Sequence, residues 1–381
     1  MKKRVLSVAL VLVLALSMFS GCKKKNANKF YIGGIGPITE GAAQYGLAVK
    51  QGAQIAVDEI NAAGGINGYK IEYKFEDDTA DGEKAVNAYN TLKDWGMDVL
   101  MGTVTTGACL SVKDETHKDK IFQLTPSASA VDVIKYDNCF QVCFTDPNQG
   151  IASAKYIGTK KLATKVAVIY DSSDAYSSGI YQKFQAEAKN QGFEIVAVGA
   201  FTADSKTDFT VQLQKAQSAN AELVFLPIYY NEAALILKQA DAMGYKPTFF
   251  GCDGLDGILS VEGFNTKLAE GVMLITPFAA DATDDKTKSF VSKYEEKYKE
   301  TPSQFAADAY DAIYIMKAAM EKADVKPSDG SKKICEAVSK AMTEISVDGL
   351  TGKAMSWQAT GEVNKEPVAV VIKNGKYQLN K

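Results

Sequence analysis

The chain is poor in the residues from which many catalytic and metal-binding sites are built. Its 381 residues include a single histidine, His117. One isolated histidine argues against histidine-based catalytic triads and against metal sites built from several histidines. His117 lies in the polar stretch 114–120, which predicts a solvated helix face. We therefore expect no bound metal.

The six cysteines show no spacing typical of a metal site. Cys22 has a separate role, described below, so an odd number remains. Cys139 and Cys143 look like a pair, but they fall in a strand-like run, 138–144, where four residues span about 13 Å. That separation exceeds the reach of a disulfide. We expect five buried, reduced thiols: Cys109, Cys139, Cys143, Cys252 and Cys335.

Nucleotide-binding and hydrolase motifs are also missing. The glycine-rich segment 33–37 follows a strand, but it lacks the third glycine of the dinucleotide fingerprint, and Pro37 removes a backbone donor. The sequence contains no P-loop, no His-Glu-x-x-His and no Gly-x-Ser-x-Gly. The acid pairs Asp77-Asp78 and Glu295-Glu296 are typical of solvated turns and helix faces. We therefore expect neither an enzyme nor a bound cofactor.

An apolar segment near the start of the chain predicts export. Three basic residues, 2–4, precede the run Val5–Leu16, which is too short to span a bilayer comfortably. The run leads into Ser-Gly-Cys, and lipoprotein signal peptides place small residues before a cysteine in this way. We predict a signal peptide over residues 1–21 and lipidation of Cys22, although Phe19 replaces the leucine usual at its position. An uncleaved membrane anchor is the alternative.

Residues 22–29 are polar, basic and without apolar periodicity, so they predict a flexible tether. The formal net charge of the whole chain is −3, and no basic face suggests nucleic acid. We expect a lipid-anchored, extracytoplasmic protein that is monomeric and binds no nucleic acid.

About 360 residues remain after cleavage, more than one hydrophobic core usually organises, so we expect two lobes. Short β-rich runs alternate with helix-patterned segments, which is typical of parallel sheets covered by helices. Helices are predicted from Ala48 through Ile60 up to Gly64-Gly65, and over Gly82–Trp95. The predicted strands are Phe30–Ile35, Ile71–Phe75, Val99–Met101, Ile121–Leu124, Val166–Tyr170, Ile195–Val198, Leu223–Leu226, Thr248–Phe250 and Val272–Ile275.

Proline and glycine residues indicate where the chain crosses between the lobes. Pro147 interrupts strand pairing within 145–150, and Thr276-Pro277 offers a second crossing. A helical stretch after it, over 287–323, would return to the first lobe, and a hairpin around Asn374-Gly375 would close the fold. The predicted division places residues 30–145 and 277–355 in lobe 1, and residues 146–276 and 356–381 in lobe 2.

Hydroxyl-rich loops follow two of the predicted strands. Residues 102–107 and 125–129 lie where parallel strands end, which is the ligand crevice of open α/β sheets. Threonine hydroxyls and amides at a helix N-terminus hold a carboxylate without a cationic side chain. Serine and threonine at such positions are equally common as plain helix caps.

Together these segments resemble the branched-chain amino acid (Leu/Ile/Val) binding proteins of ABC transporters, in a lipoprotein form. The resemblance implies the two-lobed α/β fold of type I periplasmic binding proteins, with three crossovers and a ligand in the cleft. It covers essentially the whole mature chain. The segments that carry it are Ile35–Thr39, Gln44–Gly46, Asp58–Asn61, Gly64–Gly68, Asp77-Asp78, Gly102–Gly107, Thr125–Ser129, Phe144–Gly150, Asp174–Ser177, Gly251–Gly254 and Ala269–Val272.

The resemblance also assigns roles to individual residues. Thr106, helped by Thr105, would hold the α-carboxylate of an amino acid, and Asp253 would pair with its ammonium group. Thr105 and Ala80 stand where familiar leucine binders carry the two cysteines of a disulfide, so that disulfide is absent here. The pocket is also expected to be more polar, and a ligand other than Leu, Ile or Val is an alternative. The full set implied to contact ligand is Tyr45, Val104, Thr105, Thr106, Ser127, Ala128, Ser129, Tyr176, Tyr229, Tyr230, Asp253 and Phe278.

The resemblance thus implies a protein that closes its lobes around an amino acid and delivers it to the permease subunits of an ABC importer. A sensory ligand-binding subunit of the same fold is an alternative. So is a binder of a small amide or an aromatic acid. A secreted hydrolase using carboxylates is disfavoured by the missing motifs.

Overall fold

Two sheets form the framework of residues 26–380, the part of the chain that the computed structural model describes. The predicted signal peptide and Cys22 lie outside these residues. The first sheet is entirely parallel, in the order β2-β1-β3-β4-β5. Its strands are β1 Lys29–Gly36, β2 Lys70–Asp77, β3 Val99–Gly102, β4 Phe122–Thr125 and β5 Cys139–Gln141.

The second sheet has the order β12-β11-β10-β9-β8-β6-β7, parallel from β10 to β7 and antiparallel at the terminal hairpin. The predicted strands and hairpin are all found, within a few residues at their ends. The strands are β6 Lys165–Asp171, β7 Glu194–Phe201, β8 Leu223–Leu226, β9 Thr248–Gly251, β10 Met273–Thr276, β11 Val368–Lys373 and β12 Lys376–Leu379.

Helices cover these sheets and begin where the local sequence caps them. Asp81 accepts a hydrogen bond from the Lys84 amide at the start of α2, and Gly96 ends that helix with a left-handed φ of 92°. The helices are α1 Ala43–Ala62, α2 Gly82–Trp95, α3 Thr106–Asp119, α4 Asp146–Thr159, α5 Ala175–Ala188, α6 Thr210–Ser218, α7 Tyr230–Ala242, α8 Asp285–Tyr298, α9 Gln304–Lys322 and α10 Ser331–Met342.

The packing of α1 against α9 depends on a glycine. A Cβ atom at Gly52 would lie 2.0 Å from the Ala306 carbonyl oxygen, so no larger residue fits at this crossing. The buried faces of both helices join the main hydrophobic core. This contact holds the return segment, α9, against α1.

Several local predictions need correction. The strand-like run 138–144 pairs only as β5, and the predicted tether ends inside β1, which begins at Lys29. Asp78 is not solvated: it is fully buried beneath its own turn, and its carboxylate accepts the Ala80 amide. His117 lies on α3, but its ring stacks on Tyr136 at 4.1 Å between centroids rather than facing water freely.

The five predicted thiols are all free and buried, as expected. Cys109 and Cys139 lie on either side of Gln123, whose side-chain amide reaches both sulfur atoms, at 3.3 Å and 3.7 Å. These thiols therefore act as packing groups with weak hydrogen bonds.

The third crossing lies later in the chain than predicted. The Trp357 indole donates to the Gln141 carbonyl oxygen at 2.8 Å, and the Gln141 amide donates to the Gly361 oxygen at 3.2 Å. Residues 356–365, predicted for lobe 2, thus pack on the first sheet. We place this crossing after Lys365, where the chain enters β11.

A buried ion pair joins these crossing segments. The Lys365 ammonium donates to Asp308 Oδ1 at 2.9 Å, to the Thr351 hydroxyl at 2.7 Å and to the Val142 carbonyl oxygen at 3.0 Å. The lysine and aspartate side chains are 0% and 2% exposed. Val142 precedes the first crossing and Lys365 precedes the third, so one side chain holds both to α9.

Replacing Lys365 should therefore destabilise the protein strongly. We expect Lys365→Met to lower the free energy of unfolding by about 3–5 kcal/mol, because Asp308 would be left buried and unpaired. Lys333→Met, which removes a surface pair with Asp329, should cost less than about 1 kcal/mol. Urea denaturation measures both. Equal losses in the two variants would contradict a structural role for the buried pair.

Candidate functional site

The carboxyl ends of the strands in the two sheets face each other across a cleft. The loops after β3 and β4 approach it from the first lobe, and the segments after β6, β8 and β9 approach it from the second. The cavity between them has a volume of about 10 Å³, room for roughly one water molecule, so the lobes are closed. It is lined by Tyr45, Val104, Thr105, Thr106, Ser127, Tyr176, Tyr229, Asp253, Gly254 and Phe305.

The first-lobe wall is made of hydroxyl groups at the start of α3. Thr105 precedes the helix, and its side chain makes no capping hydrogen bond. The backbone amides of the first turn therefore receive no hydrogen bond acceptor from this side chain. Ser127 donates to the Val104 carbonyl oxygen at 2.7 Å, and the Ser129 amide donates to the Thr106 hydroxyl at 3.3 Å. These bonds hold the two loops together as one surface.

The second-lobe wall is centred on Asp253. The Tyr176 hydroxyl donates to Asp253 Oδ1 at 2.6 Å, and the Gly254 amide donates to the same hydroxyl at 3.0 Å. Asp253 is only 4% exposed. Burial raises the pKa of its carboxyl to about 6, against the effect of the hydrogen bond from Tyr176. When it is ionised, the Asp253 carboxylate thus lies next to the cavity with only neutral hydrogen-bond partners.

Aromatic rings enclose the remaining side of the cavity. Tyr45 stacks on Phe305 with ring centroids 4.1 Å apart, and Tyr176 stacks on Tyr229 at 5.0 Å. Tyr45 belongs to lobe 1, but its hydroxyl donates to the Gly254 carbonyl oxygen of lobe 2 at 2.5 Å. The rings therefore form an apolar wall and also join the lobes.

Eight of the twelve predicted ligand residues line the cavity, and four do not. Ala128 and Ser129 are buried behind Thr106. The Tyr230 hydroxyl accepts the Gln44 amide at 3.2 Å, so it serves a contact between the lobes. Phe278 packs on Phe290 and lines a different groove, because the chain turns away from the cleft after β10.

Sequence reasoning missed three residues around the cavity. Phe305 lies in the first turn of α9, which was predicted only as a helix returning to lobe 1. Asp146 and Gln149 lie in the first turn of α4, which was predicted as a crossing. The Gln149 side-chain oxygen accepts the Asp253 amide at 3.3 Å. The one available signal was polarity, because the crossing segment places an acid and an amide in the first turn of a helix.

Polar atoms without partners gather beside the cavity. Thr105 Oγ1, Ser129 Oγ, Gln149 Nε2 and both carboxylate oxygens of Asp146 are buried without a hydrogen bond of acceptable geometry. Burial raises the pKa of Asp146 well above its usual range; the nearby Ser129 hydroxyl opposes this and Asp253 adds to it. Such atoms normally find partners in a folded protein. Their clustering here makes this cavity the candidate ligand site.

Metal binding and membrane spanning find no support within residues 26–380. No group of three or more histidine, cysteine, aspartate or glutamate side chains could hold a metal ion there. None of the helices in that range combines the length and apolar character needed to cross a membrane.

Known proteins resemble this chain over most of its length. A model of the periplasmic binding protein family matches residues 29–376. The Leu/Ile/Val-binding protein homolog 3 of Brucella melitensis is 33% identical over 317 residues, 82% of each chain. The leucine-, isoleucine-, valine-, threonine-, and alanine-binding protein of Pseudomonas aeruginosa is 28% identical over 290 residues, 76% of this chain and 77% of that one.

Solved structures agree with this relationship. The branched-chain amino acid transporter substrate binding protein LivJ of Streptococcus pneumoniae, in complex with isoleucine, is 31% identical with a TM-score of 0.83. The match covers 92% of this chain and 98% of LivJ. The fold is that of a type I periplasmic binding protein, as the sequence predicted. The chain therefore belongs to the periplasmic binding protein family, in the group that contains the Leu/Ile/Val-binding proteins.

Proposed function

We propose that this protein binds an amino acid with an aliphatic side chain between its lobes and delivers it to the permease of an ABC importer. One observation carries the proposal: unpaired donors stand on lobe 1, while a buried carboxylate stands on lobe 2. That division of charge complements a zwitterion. The names of the relatives, which bind leucine, isoleucine and valine, support the same ligand class.

The carboxylate of the ligand would meet lobe 1. Residues 26–380 contain no arginine, and no lysine lines the cavity. Hydroxyl groups and first-turn amides of α3 at Thr105 and Thr106 supply donors instead, reinforced by the positive end of the helix dipole. Each such bond to a charged group contributes about 1.5–3 kcal/mol. A carboxylate is thus held without a cation.

The ammonium group would meet Asp253. A buried carboxylate beside a ligand without a positive charge would stay unpaired, which is costly. This argues against the predicted alternative of an aromatic acid or a neutral amide. Val104 and the aromatic rings of Tyr45 and Phe305 leave an apolar end for an aliphatic side chain.

Ligand binding would close the lobes by supplying partners to buried atoms. Closure brings Asn231 Nδ2 to the Gly41 carbonyl oxygen at 2.6 Å and Tyr45 to Gly254, but it also buries unpaired polar atoms, each at a cost of about 1–3 kcal/mol. A ligand that pairs with them binds the closed state better than the open state, which is the requirement for a ligand-driven shift.

The protein would act outside the cytoplasm and without covalent chemistry. Family membership implies the extracytoplasmic location, whereas the lipid anchor on Cys22 is part of the proposal. The anchor rests on the basic, apolar and small-residue order of the first 22 residues. It would keep a monomeric binding protein near its membrane partner. A sensory role would use the same cleft, and neighbouring permease and ATPase genes would favour transport.

Removing the charge of Asp253 should weaken amino acid binding. We expect Asp253→Asn, which can still accept a hydrogen bond from Tyr176, to lower affinity about 10- to 100-fold, the loss of one charge-assisted bond. Calorimetry on the ligand-stripped mature protein with a panel of aliphatic amino acids measures it. Asp241→Asn on the exposed end of α7 is the matched control. Unchanged affinity in Asp253→Asn would refute the ammonium contact.

Binding should also weaken in acid. The pKa of Asp253 is raised to about 6, so above that pH the carboxylate is ionised and available to an ammonium group. As pH falls through this value, protons compete with the ligand, and affinity should drop up to about tenfold per pH unit. Titrations of the wild-type protein and Asp253→Asn from about pH 7.5 to pH 5 separate this group from others. Parallel profiles in both proteins would contradict the assignment.

The anchor has a separate test. In a bacterial host fed labelled palmitate, the wild-type precursor should be shortened and become labelled. Cys22→Ser should remain unlabelled and unprocessed, because the thiol is the site of lipid attachment. Cys335→Ser, which changes a buried thiol, is the control and should be labelled normally. Label on Cys22→Ser would exclude this residue as the attachment site.

A further inference from the structure

A second and larger cavity lies between the lobes beside the crossing at Thr276. Its volume is about 400 Å³, and a neighbouring cavity of about 120 Å³ shares six of its lining residues. Lobe 2 contributes Asp256 and Tyr377, and lobe 1 contributes Val291 and Glu300. We call this space the hinge groove. It is separate from the cleft cavity, with which it has no lining residue in common.

The hinge groove is strongly acidic. Four carboxylates line its larger part, Asp256, Asp281, Glu295 and Glu300, against one cation, Lys376. Among the salt bridges of the described part of the chain, none involves any of these four acids. Glu295 and Glu300 are exposed at the rim. The groove thus favours a positively charged occupant.

Asp256 adds an independent observation, because it is a buried acid with an unused oxygen. Its side chain is 6% exposed and lines both parts of the groove. Oδ2 accepts the Gln304 amide at 2.7 Å, whereas Oδ1 accepts no hydrogen bond. Burial raises the pKa of this carboxyl to about 7, while the hydrogen bond from the Gln304 amide and the nearby Tyr377 hydroxyl oppose the rise. A carboxylate in this setting gains most from a cationic partner.

Apolar surface continues from this acid along the groove. Leu259 and Val370 of lobe 2 face the same space as Phe278 and Val291, and the Tyr377 ring lies among them. A fully hydrated metal ion would gain nothing from these side chains. An organic cation with an apolar body would use both the acids and this surface.

We propose that the hinge groove is a second ligand site, for a small primary amine with an apolar body. The ammonium group lies against the Asp256 carboxylate, the acids of the rim attract it, and the body packs along Leu259, Phe278 and Val291. The groove is a separate site from the cleft, whichever solute the cleft binds.

The groove is connected to the cleft through one residue. The Gln304 amide donates to Asp256, and its side-chain Nε2 donates to the Asp253 carbonyl oxygen at 3.0 Å. The next residue, Phe305, lines the cleft cavity. Because the groove takes side chains from both lobes, a ligand in it contacts the two bodies that move in closure. Occupancy of the groove is therefore coupled to closure around the cleft ligand.

Calorimetry with benzylamine, and with benzyl alcohol as its uncharged counterpart, tests the proposal. We expect benzylamine to bind the wild-type mature protein at concentrations up to about 10 mM and benzyl alcohol not to bind. Asp256→Asn can still accept the Gln304 amide, and it should bind benzylamine at least about tenfold more weakly. Asp253→Asn should lose much less benzylamine affinity than Asp256→Asn, which separates the groove from the cleft and from the proposed transport function.

The rim gives a second variant that does not touch the core. Glu295→Gln combined with Glu300→Gln changes only exposed side chains and should weaken benzylamine binding about two- to fivefold. This variant decides the question if Asp256→Asn does not fold. No benzylamine binding to the wild-type protein, equal binding of benzyl alcohol, or full affinity in the rim variant would each overturn the proposal.

Discussion

Closure of this protein depends on polar atoms that the chain itself leaves without partners between its lobes. Thr105, Ser129, Asp146 and Gln149 all contribute such atoms, and Asp253 adds a nearly buried carboxylate. Residues 26–380 offer no arginine to neutralise the acids or to bind an anion. A closed cleft is therefore costly by itself, and a ligand that is both donor and acceptor removes the cost. With the proposed ligand, selectivity for a zwitterion and ligand-driven closure would follow from the same constraint.

The crossing segments provide a fixed base for that movement. The Lys365 ammonium donates both to the Val142 carbonyl oxygen, just before the first crossing, and to Asp308 of α9. All three groups are buried. Contacts across the cleft are different in kind: the bond from Asn231 to Gly41 is exposed, and it exchanges readily for water. The stable part of the structure thus lies at the hinge, and the weak part at the mouth of the cleft.

Sequence patterns predicted the elements, and the resemblance named eight of the ten residues that line the cleft cavity, for physical reasons that are local. Gly82–Trp95 carries its own cap and stop, and the loops after β3 and β9 carry Thr105, Thr106 and Asp253 to a sheet edge where ligands bind. Phe305 and Asp146 were missed because each lies in the first turn of a helix, and only the approach of the other lobe makes it a cavity neighbour. Residues 356–365 were assigned to the wrong lobe because no periodicity marks them; single contacts of Trp357 and Lys365 decide their position.

Gln304 shows how the cleft and the hinge groove can influence each other. Its backbone amide donates to the Asp256 carboxylate, and its side-chain amide donates to the Asp253 carbonyl oxygen. These two acids are three residues apart and face different cavities. Both acids belong to lobe 2, and Gln304 begins α9 of lobe 1, so these bonds exist only for a particular lobe arrangement. A cation at Asp256 and a zwitterion at Asp253 would each stabilise that arrangement. By reciprocity, an amine in the groove must then change the affinity of the cleft by the same factor as the cleft ligand changes that of the groove.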